Sequence, residues 1–567
     1  MASDSLASTL MRPKRRQQGS SEGALRLAEP GNDVPALNGE PRADLVLGAV
    51  SRCAALAVTT VLGLVVTPIV VHALGAETYG LWGLAASFAG FYGLFDLGLS
   101  QAMARFMGNA IGARDEEELN RVASTGGALL VGASVLVFVF AVGATGPALS
   151  ILKVPHEYVR TFRWLIMLSA TGVCITLVMS VYEGTLLASE DFVAMSAIQT
   201  AGSIVRSVGG LVLVLSGAGV LGLAIGTGLA TGISQVLVYR RSRRIVPQLR
   251  MSHSHVEWRT ARPLLGFGAA AFVVICALVL QSRFAVPVVT RVGGIGQAGL
   301  YTVALTPFAL FRGASIALGG IASPRMNILY GSGDCVTLRA FFLRASHFTV
   351  AFVALLGGGL MGLAHILIPA WIGPGFEGSA VVFCILVGGH LLELGTWPAV
   401  GSLYATGRHR YYAAQKVGET LACVALACFL GAKFGMNGVA LGIVSPIMLS
   451  KVSVQPLVVA RNLGLGFWTY WGRVIAAPSC VAAVLIVFLR PVSTVLMGYS
   501  WWTLPPLLVF SLLMASLLLW YAVLERHERS SALAVAGARF RAGKSHLVQI
   551  VSGVLSRSQT DVDRRSL

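Results

Sequence analysis

Residues 67–82, TPIVVHALGAETYGLW, return 219 positions later as residues 286–301, VPVVTRVGGIGQAGLY. Pro68 falls on Pro287, Gly75 on Gly294, Gly80 on Gly299, Leu81 on Leu300 and Trp82 on Tyr301. The register runs without a gap to Asp115 and Asp334, in GARD and GSGD, and Phe192 falls on Tyr411 at the same offset. Gly222 and Gly226 fall on Gly438 and Gly442 at an offset of 216. A match this long, with Pro and Gly in register, marks an internal duplication, and the fold has to be read as two copies of one unit.

The unit is a membrane unit. The chain has 567 residues, 55% of them apolar and only 12% charged, about half the charge of a typical soluble domain. Mean hydropathy is +0.74. Too little polar surface remains to cover a soluble core, so a soluble enzyme, a nucleic-acid binder and a disordered scaffold are excluded. A crossing helix needs about 20 largely apolar residues, and fourteen stretches qualify, from 45–71 and 79–101 through 472–490 to 503–524. The expected fold is an all-α polytopic membrane protein of about 14 transmembrane helices. Six crossings per copy is an even number, so both copies enter the membrane in the same direction, giving a parallel repeat about an axis along the membrane normal.

The expected organisation follows from these stretches. A disordered basic tail spans 1–43 and an N-terminal six-helix bundle 44–245. A basic cytoplasmic linker (246–262) leads to a C-terminal six-helix bundle (263–461). Two additional helices follow at 462–525, then a basic amphipathic tail at 526–567. The net charge of +18 is largely topological: 32 of the 43 Lys and Arg fall on one side of these crossings and six on the other. The positive-inside rule then places both termini in the cytoplasm. The joining loop 239–262, with seven Arg, suits anionic headgroups.

The run PIVVHALGAETYGLWGLAASFAGFYGLFDLGLSQAMARFMGNAIGARD resembles the start of bacterial polysaccharide-export flippases, of the multidrug/oligosaccharidyl-lipid/polysaccharide exporter superfamily. The resemblance rests on Leu74-Gly75, Tyr79-Gly80-Leu81-Trp82, Phe95-Asp96-Leu97-Gly98-Leu99, Arg105 and the acidic loop after Gly112, and extends over about 45–461. It implies two bundles around a central cavity in the bacterial inner membrane. It also implies outward movement of an undecaprenyl-pyrophosphate-linked oligosaccharide by alternating access, for export of surface polysaccharide. Expected partners are that lipid-linked oligosaccharide and the membrane lipids, with a polysaccharide polymerase and export machinery as candidates, and no nucleic acid. A multidrug/cation antiporter of the same superfamily and a lipid II flippase are the alternatives.

Ionisable groups inside a span are costly and are functional candidates by default. Here they are Arg52, Asp96, Glu183, Arg206, Arg283, Arg312, Glu393, Glu419 and Lys451. The duplication does not preserve them: Arg312 matches Gly93 and Asp96 matches Ser315, so they serve something asymmetric. Arg206 and Arg312 sit near mid-span, too deep to snorkel. The planar guanidinium fork donates two parallel hydrogen bonds and stays charged, which suits a pyrophosphate. Arg52, Arg206, Arg283 and Arg312 are therefore the candidate substrate-binding residues, a cationic cavity for an anionic lipid carrier. Structural ion pairing is the competing role, above all for Arg52. Asp96 and Glu183 are candidates for ion coupling or for pairing.

Pro68 and Pro287 are expected bending points, as a proline frees a carbonyl in a span. No P-loop, G-x-S-x-G or H-E-x-x-H occurs, so the chain is expected to be a transporter with no catalytic residues. The eight cysteines form no C-x-x-C pair, and neither a metal site nor a cofactor is expected.

Overall fold

The computed structural model describes residues 43–495, which contain helices and no strand. Among the described residues nine stretches are long and apolar enough to cross a membrane, from Ala54–Asp96 to Phe467–Pro491. In a bilayer only closed backbone hydrogen bonding is tolerated, and a helix supplies it within one segment. The expected tails lie outside the described residues but for Ala43, as does the expected span 503–524.

The thirteen expected crossings that fall among the described residues become nine stretches because several continue through a sharp bend. Helix α1 (Ala43–Tyr92) bends at Gly75, with φ 77° and ψ 164°. The helices that follow are α2 (Leu99–Ala113), α3 (Glu116–Leu152), α4 (Val159–Ala188) and α5 (Phe192–Ile204). The path of α5 continues through π-helical turns at Val205–Gly209 and Val214–Ala218 into α6 (Gly219–Ile245). The second half comprises α7 (Trp258–Arg283), α8 (Ala285–Gly320), α9 (Ala322–Gly331), α10 (Cys335–Ile372), α11 (Glu377–Gly395), α12 (Trp397–Ala405) and α13 (His409–Leu449). A π-helical turn at Ser450–Val454, α14 (Gln455–Leu463) and α15 (Ala477–Val495) complete it.

The duplication is visible in the backbone. Gly294 bends α8 with φ 78° and ψ 179°, the counterpart of Gly75. Gly219 has φ 58° and ψ −146°, and Gly435, 216 positions on, has φ 58° and ψ −141°. Arg114 and Gly333 share a positive φ, and the next residues, Asp115 and Asp334, cap α3 and α10. Asp115 accepts from the Glu118 amide at 2.9 Å and Asp334 from the Thr337 amide at 3.0 Å. Hydrogen bonding to Thr337 holds the Asp334 carboxyl below its ordinary range.

The bends fall on Gly75 and Gly294, not on Pro68 and Pro287. Pro287 is in the first turn of α8, where a missing amide costs nothing. A φ near +77° with extended ψ is open to glycine alone. We expect Gly75→Ala and Gly294→Ala each to cost about 1–3 kcal/mol, read as a lower thermal midpoint of the purified protein. Gly63, helical and with open space around it, is the control and should tolerate Ala.

Glycines also let helices touch. A Cβ on Gly226 would meet the backbone of Gly210, and one on Gly442 the backbone of Ala427, so each repeat closes a tight hairpin. Between the halves, a Cβ on Gly80 would run into the Ile295 carbonyl, and one on Gly299 into the Ala76 carbonyl. At the same end Trp371 Nε1 donates to the Leu64 carbonyl at 2.7 Å.

The basic linker is not a free loop. Val246 and Leu249 are buried. Asn120 accepts from the Arg250 amide at 2.6 Å, Ser124 from the Ser252 amide at 3.1 Å and Thr125 from the Glu257 amide at 3.1 Å. The segment is strapped along the start of α3, and α7 begins at Trp258, inside the stretch expected to be linker.

Candidate functional site

The four candidate arginines are distributed two and two. Arg52 and Arg206 line a cavity of about 630 Å³ in the first half, with Thr59, Glu183, Gln199, Ser203 and Gln235. Arg283 and Arg312 line one of about 210 Å³ in the second half, with Gln281, Tyr301, His390 and Glu393. Among the described residues none of the four forms a salt bridge.

Each arginine is presented differently. Arg52 lies 4.4 Å from the centroid of the Phe192 ring, where the ring face attracts a cation. Arg206 belongs to the π-helical turn Val205–Gly209, a local widening common at functional positions. Arg283 crosses to the first half: a Cβ on Gly90 would meet its Cδ at 2.7 Å and its Nε at 2.6 Å. Gly90 thus makes room for an arginine that belongs to the other half. Arg312 stands on α8 in the same cavity as Arg283, and Gly313 beside it approaches Leu56 of the first half.

The two carboxylates that are candidates for ion coupling or for pairing are held separately. Asp96 ends the 3-10 turn Gly93–Asp96, just before Leu97 and Gly98 take up left-handed conformations. Its Oδ1 accepts from the Ser100 hydroxyl at 2.5 Å and the Ser100 amide at 3.2 Å, which starts α2 after the break. Glu183 accepts from Gln235 Nε2 at 2.7 Å in the first cavity. Gln235 Oε1, buried in that wall, has no partner.

Behind the second cavity lies a charge cluster of which the sequence reading identified only part. Glu393, Glu419 and Lys451 stand out as ionisable groups in spans, but Lys416 counts with the loop cations. In the structure Lys416 is 1% exposed and its Nζ donates to Glu393 at 2.5 Å, Glu419 at 2.6 Å and Gln281 at 3.1 Å. Lys451 reaches Glu419 at 3.5 Å. Two ammonium groups thus balance two carboxylates. His390, on the same helix as Glu393, presents Nε2 to Glu393 Oε2 at 3.7 Å. The signals available were the i, i+3 spacings His390–Glu393 and Lys416–Glu419. Tyr301 adds a buried hydroxyl without a partner to the cavity wall, a group that a polar ligand would satisfy.

This architecture of two bent, glycine-hinged halves with a polar cavity in each is the polytopic transporter fold of MATE proteins. The MatE family model matches residues 53–212, within the first half. The fold is shared with an inward-facing multidrug resistance MATE family transporter of the MOP superfamily, at 17% identity and a TM-score of 0.59 over 73% of this chain and 98% of that one. It is also shared with the lipid II flippase MurJ in an inward closed conformation, at 14% identity and a TM-score of 0.65 over 82% of this chain and 97% of MurJ. In sequence the chain is 22% identical over 401 residues to the uncharacterized membrane protein EpsK of Bacillus subtilis, covering 70% of this chain and 79% of EpsK. One of these two solved structures is described as a transporter and the other as a flippase.

Proposed function

We propose that this protein is a flippase that carries an undecaprenyl-pyrophosphate-linked oligosaccharide across the bacterial inner membrane, for export of surface polysaccharide. The observation that carries the reading is the set of four arginines, two in each cavity wall, none of them in a salt bridge among the described residues. The guanidiniums offer paired donors to the pyrophosphate while the lipid tail stays in the bilayer. Closure at the Gly80–Gly299 end leaves access from the opposite end, where, with both termini cytoplasmic, the lipid-linked sugar is assembled. Alternating access then exchanges this contact for one at the inner end. A polysaccharide polymerase on the outer side is the natural recipient. The arginines oppose the alternative of a cation antiporter, because they repel organic cations. The MurJ likeness supports a second reading with the same chemistry, in which the carried lipid is lipid II.

A charged hydrogen bond contributes about 1.5–3 kcal/mol, so losing one arginine pair lowers transport roughly tenfold or more. We expect Arg206→Ala and Arg312→Ala each to reduce surface polysaccharide by that amount at matched protein level. Normal export by both variants would refute the reading. Intact polysaccharide with blocked peptidoglycan synthesis would favour lipid II.

A further inference from the structure

We propose that the cavity of the second half binds one proton together with its anionic ligand, and that the proton is held by His390 against Glu393. The proposal rests on the anion-binding reading of Arg283 and Arg312 and adds a co-bound ion to it.

The tautomer of His390 is set by its surroundings. Its Nδ1 lies 2.8 Å from the Leu386 carbonyl, an acceptor only, so Nδ1 carries hydrogen. In the neutral ring Nε2 is then a lone pair, and it faces Glu393 Oε2 at 3.7 Å. Two acceptors stand opposite each other with room for one proton. A proton drawn from cavity water forms an N–H bond at Nε2, and the resulting imidazolium points at a carboxylate. The O–H bond that held the proton, in a hydronium ion of the cavity water, breaks as the N–H bond forms and leaves neutral water behind.

The charged groups around the ring decide when that proton is held. Glu393 on α11 favours it. Arg312 on α8 and Lys416 on α13 carry the same sign of charge as an imidazolium, and Arg283 on α7 shares the cavity with the ring. Phe308, with its ring centroid 4.8 Å away, shields the remaining side. Glu393 is already engaged by Lys416 at 2.5 Å, and the four charges of that cluster cancel. In the empty cavity the two arginines set two further positive charges in the space that the ring lines. An anion seated on them cancels their field, while Glu393 stays in place. Anion binding then raises the affinity of Nε2 for a proton, and reciprocally the proton tightens the anion. Asp96 and Glu183, the carboxylates first considered for coupling, lie outside this arrangement.

The probe is P1,P2-dimethyl pyrophosphate, a diester whose acidic protons are lost far below neutrality, so any proton taken up belongs to the protein. Its binding to the purified full-length chain is measured by titration calorimetry between pH 6 and 8 in buffers of different ionisation enthalpy. We expect uptake of up to about one proton per diester and affinity that rises by up to about tenfold per unit fall in pH. His390→Gln should keep binding and lose both the uptake and the pH dependence. In the unmutated protein, deuterium exchange at the His390 C2 position should show its titration midpoint raised by the diester, a readout that does not depend on a variant folding. Arginine-dependent binding without proton uptake, uptake unchanged in His390→Gln, or an unmoved His390 midpoint would each overturn the proton site and leave the anion reading standing. Absent binding, or binding indifferent to Arg283→Ala and Arg312→Ala, would overturn the anion reading itself.

Discussion

Replacing Lys416 with Met is expected to destabilise the protein by about 3–5 kcal/mol, as removal of one partner from a buried charge cluster does. Lys416 is the hub: its ammonium contacts Glu393 and Glu419 at 2.5 and 2.6 Å, and Glu419 is 0% exposed. Without it two carboxylates face each other with only Lys451, 3.5 Å from Glu419, to balance them. Met fills a similar volume, so the loss is electrostatic and not a cavity effect. The double variant Lys416→Met/Glu393→Gln restores neutrality, with Lys451 balancing Glu419, and should recover much of the deficit. Thermal unfolding of the purified proteins checks both. A single variant as stable as the parent, or a double variant no better than the single, would show that the cluster is not a mutual charge balance.

The second large effect is expected at Gly299. A Leu there meets the Ala76 carbonyl, a backbone atom that cannot rotate away, so the cost is at least that of an overpacked core, about 1–3 kcal/mol. The halves must then separate at this end. Cysteines at Glu77 and Gly296 report it, because a Cβ on Gly296 would lie 3.7 Å from the Glu77 side chain. We expect the Glu77→Cys/Gly296→Cys pair to cross-link in the parent and to lose cross-linking by at least roughly tenfold when Gly299→Leu is added, since 1.4 kcal/mol corresponds to a factor of ten. Surface polysaccharide should fall in parallel. Undiminished cross-linking would mean that the contact yields without opening.

The helical membrane fold and the duplication were legible because they are written as runs of apolar residues and as glycines at a fixed offset. The bends were assigned to the wrong residue: Pro68 and Pro287 carry the recognisable signal, but Gly75 and Gly294 hold the dihedral angles that only glycine reaches. The break at Gly93–Gly98 is hidden within an apolar stretch, and Asp96, read as an ionisable group in a span, accepts from Ser100 in the first turn of the restarted helix. Depth along the span singles out Arg206 and Arg312 as candidates. That Arg283 shares a cavity with Arg312 and leans on Gly90 depends on tertiary packing, which depth along one helix does not encode. Lys416 was missed for the opposite reason: it lies near a span boundary, where a lysine is ordinarily solvated, and only the convergence of α7, α11 and α13 buries it.

The glycine contact between the halves has a consequence in the language of oligomers. Gly80 meets Ile295 and Gly299 meets Ala76, and the offset of 219 carries Ala76 onto Ile295 as it carries Gly80 onto Gly299. Each surface patch therefore meets its own image, which is the rule for an isologous interface of a two-fold dimer. A chain of half this length would already possess the contact and could assemble through it as a symmetric pair. Fusion freed the two copies to diverge, so that one wall could acquire Arg206 while the other acquired Arg312 and the lysine-centred cluster behind it.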